Sequence, residues 1–120
     1  MTQKTILLTG ATSGIGQAAA IDLAVQGYTL CLVARSETKA AATTKRIKAK
    51  APDANIHWLF GDLSKQADVR SVAHAFLALA LPLDVLWLNA GLCYNKRVLS
   101  EDGYEMMWAV NHLAPFLLTA

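Results

Sequence analysis

The stretch Thr9-Gly10-Ala11-Thr12-Ser13-Gly14-Ile15-Gly16 decides how the rest of the chain is read. It follows Lys4 to Thr9 (KTILLT), which reads as a strand, and leads into Ile15 to Gln26, which reads as a helix. On that helix Ile15, Ala19 and Leu23 form an apolar stripe, and Gly27 stands where a glycine ends a helix. A strand, a glycine-rich turn and a helix start make a ready anion site. Glycines let backbone approach a pyrophosphate, and the helix N-terminus offers N–H groups and a positive dipole end. The spacing is Gly-x3-Gly-x-Gly preceded by Thr, not GxGxxG. In this context it points to nucleotide binding, the plainer alternative being a turn needed only for tight helix–strand packing.

Outward from the turn, strand-like and helix-like segments alternate. Tyr28 to Ala34 (YTLCLVA) reads as the second strand, Ser36 to Lys50 as a polar helix, and Asn55 to Phe60 as the third strand. Ser64 is expected to cap a helix whose apolar residues Val69, Val72, Ala73, Phe76 and Ala80 follow the i, i+3, i+4 rule. Leu83 to Leu88 (LDVLWL) is the fourth strand, and Ser100 is expected to open a last helix through Glu101, Asp102 and Glu105. This order implies an α/β, Rossmann-like open parallel sheet with strand order 3-2-1-4, flanked by helices. The second and fourth strands are nearly continuous apolar runs, as expected where helices cover both sheet faces. Residues 1–120 read as one unit with no linker or repeat. The expectation is a truncated half of a doubly wound fold, ending inside the helix after the fourth strand.

Composition narrows the functional classes. The 120 residues are 54% hydrophobic with a formal net charge of +2, which argues against a disordered chain and a dedicated nucleic-acid surface. No window reaches the ~18 apolar residues of a membrane span, and no signal-peptide pattern precedes the first strand. Cys31 and Cys93 lie in or beside apolar segments without a CxxC, which suits buried or half-buried thiols in a reducing compartment. His57, His74 and His112 lack ligand spacing, so no metal is expected. A cytoplasmic location is the expectation. Charge is uneven: Arg35 to Lys50 carries six cations and one anion, and the rest of the chain is net negative. Those cations are an ordinary solvated face or, on a sharper reading, positive potential near a phosphate site.

Three further elements fall at the carboxyl ends of the expected strands, where ligands bind in open α/β sheets. Arg35 ends the second strand, 19 residues past Gly16, where an acid usually meets a free ribose 2′-hydroxyl. A guanidinium there can bind a 2′-phosphate through paired hydrogen bonds, so NADP(H) is expected over NAD(H). The alternative is a surface Arg35, with Glu37 reaching the ribose. After the third strand comes Gly61-Asp62-Leu63-Ser64, in which Asp62 either accepts from an adenine amino group or serves only its loop. Asn89-Ala90-Gly91 ends the fourth strand, where small residues leave room for ribose and nicotinamide and Asn89 can tie neighbouring strands. The expected cofactor contacts are therefore Thr9, Gly10, Thr12, Ser13, Gly14, Ile15 and Gly16 in the turn, with Arg35, Ser36, Asp62, Leu63, Asn89, Ala90 and Gly91.

TGATSGIG, the strand-end arginine, GDLS, LNAG and VNHLAPFLLT occur in the order found in short-chain dehydrogenases/reductases, and the chain resembles that family throughout. VNHLAPFLLT is similar to the retinol-dehydrogenase-like and WW-domain-oxidoreductase-like branch. The resemblance implies that Gly10, Gly14 and Gly16 form the pyrophosphate turn, that Asp62 contacts adenine and that Asn89 stabilises the sheet beside the cofactor. It also makes Asn111 the asparagine of a catalytic tetrad. Pro115, four residues on, has no N–H for the Asn111 carbonyl, so a kink is expected there. In the family a water on that carbonyl joins a proton relay to the catalytic lysine; the plainer alternative is an ordinary proline kink. Met106, Met107, Trp108, Val110, Leu113 and Phe116 read as core or interface.

The family's chemistry also needs a serine and a tyrosine followed four residues later by lysine, which lowers the tyrosine pKa from about 10. Tyr28, Tyr94 and Tyr104 are followed at that spacing by Leu32, Val98 and Trp108. Three readings follow. The first is the cofactor-binding part of an oxidoreductase that interconverts a small carbonyl and its alcohol, inactive as an isolated chain. The second is a non-catalytic NADP(H)-binding module. The third is an inert fragment that needs a C-terminal partner, or a homo-oligomer formed through the last helix. A methyltransferase-like nucleotide fold would not explain Arg35, LNAG and VNHLAPF together. The loop Leu92 to Leu99, with Tyr94, Asn95 and Arg97, is expected to border the substrate.

Overall fold

Every residue of Thr29–Ala34 is buried, and this strand organises the molecule. The computed structural model describes residues 4–93 and 96–120. Four strands, β1 (Thr5–Leu8), β2 (Thr29–Ala34), β3 (Ile56–Phe60) and β4 (Val85–Trp87), form one parallel sheet in the order β3-β2-β1-β4. Leu7 is paired with both Cys31 and Leu86, so the centre of β1 sets the register of its two neighbours. Helices α1 (Gly14–Val25), α2 (Glu37–Lys50) and α3 (Gln66–Ala78) link the strands. A last helical stretch is built from α4 (Met106–Trp108), a π-helical turn (Ala109–Leu113) and α5 (Ala114–Thr119).

The period-2 geometry of a strand sends alternate side chains to opposite faces. Ile6, Leu8, Leu30 and Leu32 meet Ala20 and Ala24 of α1 and Ile47 of α2 on one face. Leu7, Cys31, Val33 and Leu59 meet Val72 and Phe76 of α3 on the other, with Leu118 of α5 packed alongside. Two thin apolar layers thus enclose the sheet. Burial pushes the Cys31 thiol up to about 11, which keeps it neutral and poorly nucleophilic, whereas Cys93, also expected to be at least half-buried, is exposed in the loop after β4.

Several local expectations are corrected. The buried ridge of α1 is Gly16, Ala20 and Ala24, while Ile15 is 77% exposed and Ala19 and Leu23 are half-buried. Small residues win because α1 must lie close to the sheet. Helix α3 starts from Lys65 rather than Ser64, whose hydroxyl donates to Asp62 Oδ1 at 2.7 Å instead. It stops at Ala78, and Ala80 leaves the helix in a left-handed conformation (φ 54°) before Leu81-Pro82. Gly27 does take the left-handed conformation after α1 (φ 89°).

The last helix opens at Glu105, not Ser100. The Glu105 carboxylate accepts from the Met107 and Trp108 amides, while Ser100 closes a turn with Tyr104. Asp102 instead receives the Gln66 amide at 2.8 Å, and Glu101 pairs with Lys65 at 3.1 Å, so this loop is tied to the start of α3. Near Pro115 the helix widens: the Ala114 N–H reaches back five residues to the Ala109 carbonyl. The fourth strand is shorter and barer than expected, with Val85 43% and Trp87 38% exposed, because among the described residues β4 pairs with β1 alone.

Leu32 is fully buried in β2 beneath α1 and α2. Leu32→Ala is expected to lower stability by about 2–5 kcal/mol, a large share of a small domain's total. Urea denaturation checks this, and a midpoint within error of wild type would contradict the packing described.

Candidate nucleotide site

The glycine-rich turn is built around missing side chains. Gly10 has φ 73°, and a Cβ there would stand 2.9 Å from the Ala90 backbone and from Asn89 Nδ2. A Cβ on Gly16 would collide with the Gly10 carbonyl oxygen and come 2.5 Å from Asn89 Nδ2. Gly14 differs: its φ of 54° disfavours a side chain, yet a Cβ would meet open space. The turn is packed tightly behind and open in front, as a cradle for a ligand must be.

Thr9 and Asn89 lock this turn to β4. Thr9, 2% exposed, accepts the Asn89 and Ala90 amides on its Oγ1 at 3.0 and 2.9 Å. Asn89 Nδ2 donates to the Gly10 carbonyl at 3.3 Å. The expected strand-tying role of Asn89 is therefore seen directly. Ser13 caps α1 with extended backbone and no side-chain bond. The first N–H groups of α1 have no intrahelical acceptors, so they and the dipole end are available to an anion.

The other expected residues lie along the same sheet edge. Arg35 is exposed just after β2, and Ser36 caps α2 by accepting the Lys39 amide at 3.2 Å. Asp62 accepts the Ser64 amide and hydroxyl, and its own amide donates to Asp68 Oδ2 at 2.8 Å. Partial burial pushes the Asp62 carboxyl up. The Ser64 hydrogen bonds and the charges of Arg35 and Lys65 outweigh that and hold it below its usual value. Leu63 leans on the second core layer, and with Thr9, Ala90, Val110 and Ala114 it lines a shallow crevice.

Asn111 lies across the loop after β4. Its amide pairs reciprocally with the Leu92 backbone, Oδ1 accepting from the N–H at 2.9 Å and Nδ2 donating to the carbonyl at 2.8 Å. Gly91 leaves room for this, since a Cβ there would stand 3.3 Å from Asn111 Oδ1. Tyr94 and Asn95 of the expected substrate loop lie outside the described residues. Among the described residues no group of three or more His, Cys, Asp or Glu is placed to hold a metal ion.

The sequence shows no sign of the roles of Asp68 and Gln17, and it places Glu105 inside the last helix rather than at its start. Glu105 is outside the residue types that usually cap a helix start, so the N-cap rule points to Ser100 instead. Asp68 acts locally, on the Asp62 amide six residues back, whereas Gln17 acts across the fold on α2 and carries no spacing signal.

Parallel order 3-2-1-4 with a glycine-rich turn at the centre defines a Rossmann-like, dinucleotide-binding class of fold. The family model for short chain dehydrogenase matches residues 4–120, and the chain belongs to that family. It is 47% identical to short-chain dehydrogenase TIC 32 B, chloroplastic, of Brassica napus over 116 residues, covering 96% of this chain and 36% of that protein. It is 34% identical to human retinol dehydrogenase 13 over 116 residues, covering 97% of this chain and 35% of the relative. An alcohol dehydrogenase from the archaeon Thermococcus sibiricus, solved with 5-hydroxy-NADP, superposes with a TM-score of 0.81 at 33% identity, covering 98% of this chain and 50% of that one. The chain thus spans about a third of the length of these curated relatives. No helix among the described residues is long and apolar enough to cross a membrane.

A carboxylate held below its usual pKa stabilises the fold above its unfolded value of about 3.9, and that contribution is lost as pH falls through the folded value. Asp62→Asn is therefore expected to be less stable than wild type at neutral pH, with the gap closing below about pH 4. Urea melts across that range check it; a gap that persists in acid would contradict the assignment.

Proposed function

We propose that residues 1–120 are the N-terminal, nucleotide-binding part of an NADP(H)-dependent short-chain oxidoreductase that interconverts a small-molecule carbonyl and its alcohol. The observation that carries this reading is the gathering of the Gly10–Gly16 turn, Arg35, Asp62 and Asn89-Ala90-Gly91 along the carboxyl edge of one parallel sheet. The cofactor supplies the hydride when bound. The chain's own residues bind and orient it. The amides of Ser13 to Gly16 take the pyrophosphate, Arg35 and Ser36 take the 2′-phosphate, Asp62 with Leu63 borders the adenine, and Asn89 to Gly91 border the nicotinamide ribose.

Within this reading Asn111 contributes through its backbone. Its side chain is committed to Leu92, and Pro115 offers its carbonyl no N–H. That carbonyl is the group suited to hold a relay water. Catalysis belongs to the whole protein. Residues 1–120 contain no tyrosine followed four residues later by lysine; the second reading is a non-catalytic NADP(H)-binding module. Exposed Trp108 and Phe116 suit self-association through the last helix.

Fluorescence titration separates these readings. Wild type is expected to bind NADPH more tightly than NADH and to show no turnover alone. Arg35→Ala is expected to weaken NADPH by about 10- to 100-fold and leave NADH unchanged, from the loss of a charge-assisted pair. Equal NADPH affinity in wild type and variant would remove Arg35 from the site.

A further inference from the structure

The glycine-rich turn is braced from behind by a side chain that the phosphate reading does not use. Gln17, one residue past the last glycine, is half-buried between α1 and α2. Its Nε2 donates to Thr43 Oγ1 at 3.0 Å and, in a longer bond, to the Thr12 carbonyl at 3.4 Å. Its Oε1 accepts from Arg46 Nη1 at 3.1 Å. Thr43 is 1% exposed on α2. A buried hydroxyl left without a partner is costly, so Thr43 holds the Gln17 amide in one orientation.

The consequence for the turn follows from peptide geometry. The Thr12 carbonyl and the Ser13 N–H are the two ends of one planar trans peptide and point in opposite directions. Drawing the carbonyl back toward Gln17 turns the Ser13 N–H outward, to the open side of the turn. The same helix that supplies Thr43 and Arg46 begins at Ser36, beside Arg35. The brace of the pyrophosphate turn thus sits on the helix that follows directly on Arg35, the residue suited to the 2′-phosphate.

We propose that Gln17 is a positioning residue: held by Thr43 and Arg46 of α2, it fixes the Thr12 peptide and so aims the turn's amides at the pyrophosphate. This rests on the nucleotide reading given above. It separates the jobs of Arg35, just before α2, and Arg46, within it, because Arg46 acts through Gln17 on a feature common to both dinucleotides, whereas Arg35 is suited to the 2′-phosphate that only NADP(H) carries.

The test compares NADPH and NADH titrations of the wild-type chain and Gln17→Leu. We expect both affinities to fall by about three- to tenfold, the size of one or two lost neutral hydrogen bonds, with their ratio unchanged. Amide exchange at Ser13 in the unliganded variant is expected to quicken, a change that a loss confined to ligand contacts would not produce. Unchanged affinity for both dinucleotides overturns the proposal. So does a loss confined to NADPH, which would make Arg46 a direct phosphate contact. Should Gln17→Leu fail to fold, Thr43→Val removes the acceptor alone, and the same equal loss is expected; unchanged affinity there overturns the proposal too. Wild type that binds neither dinucleotide removes the nucleotide reading and this inference together. Binding by wild type with an indifferent Gln17→Leu removes the inference alone.

Discussion

The close approach of Gly16 to the Gly10 carbonyl is the constraint on which the rest of the structure depends. No side chain fits between them. That contact folds the chain back on itself directly after β1, so α1 starts at the sheet edge and lies against its face. The same carbonyl receives Asn89 Nδ2, which brings the end of β4 to the turn. Thr9 adds two bonds to the backbone after β4. Residues about 80 apart in sequence are joined here. The turn is thus both a bend in the chain and the junction between the ends of β1 and β4.

The junction explains why small residues recur wherever the chain crosses this edge. Ala20 and Ala24 continue the Gly16 ridge and let α1 sit low on Ile6, Leu8, Leu30 and Leu32. Gly61 faces Val72, whose Cγ2 would stand 2.8 Å from an added Cβ. Gly91 faces Asn111. Each small residue marks a place where a helix or loop is drawn close, and each leaves backbone amides near a common edge. Packing and ligand access therefore come from the same choice of residue.

Much of this was legible in the sequence. KTILLT followed by a glycine turn, the apolar run YTLCLVA and the alternation of elements suffice for sheet order and for the strand-end residues. What was not legible depends on contacts across the fold. Periodicity put Ile15 inward, yet the tight turn rotates Gly16 to the sheet and leaves Ile15 outside. Ser64 and Ser100 have the right chemistry for caps, but Asp62 and Tyr104 are nearer partners, so Lys65 and Glu105 begin the helices. Ala80 fits an apolar stripe in sequence, but the chain must leave the helix before Pro82. The apolar run around β4 suggested a covered strand, while its burial depends on neighbours rather than on its own composition.

The basic stretch from Arg35 to Lys50 shows the same limit for charge. By composition it is a block of like charges, and a uniform field would be the simplest reading. In the fold the members differ in kind. Arg35 lies at the sheet edge, close enough for its charge to help hold the Asp62 carboxyl down. Arg46 lies more than two turns along α2 and hydrogen-bonds a neutral amide, Gln17. Exposed charges are screened over about 8–10 Å in ordinary salt, so the cations farthest along the helix add little at the strand ends. A cation's effect is set by what it touches, and the run of positive charge divides into Arg35 near the Asp62 carboxyl, Arg46 bonded to the Gln17 amide and others that solvate the helix.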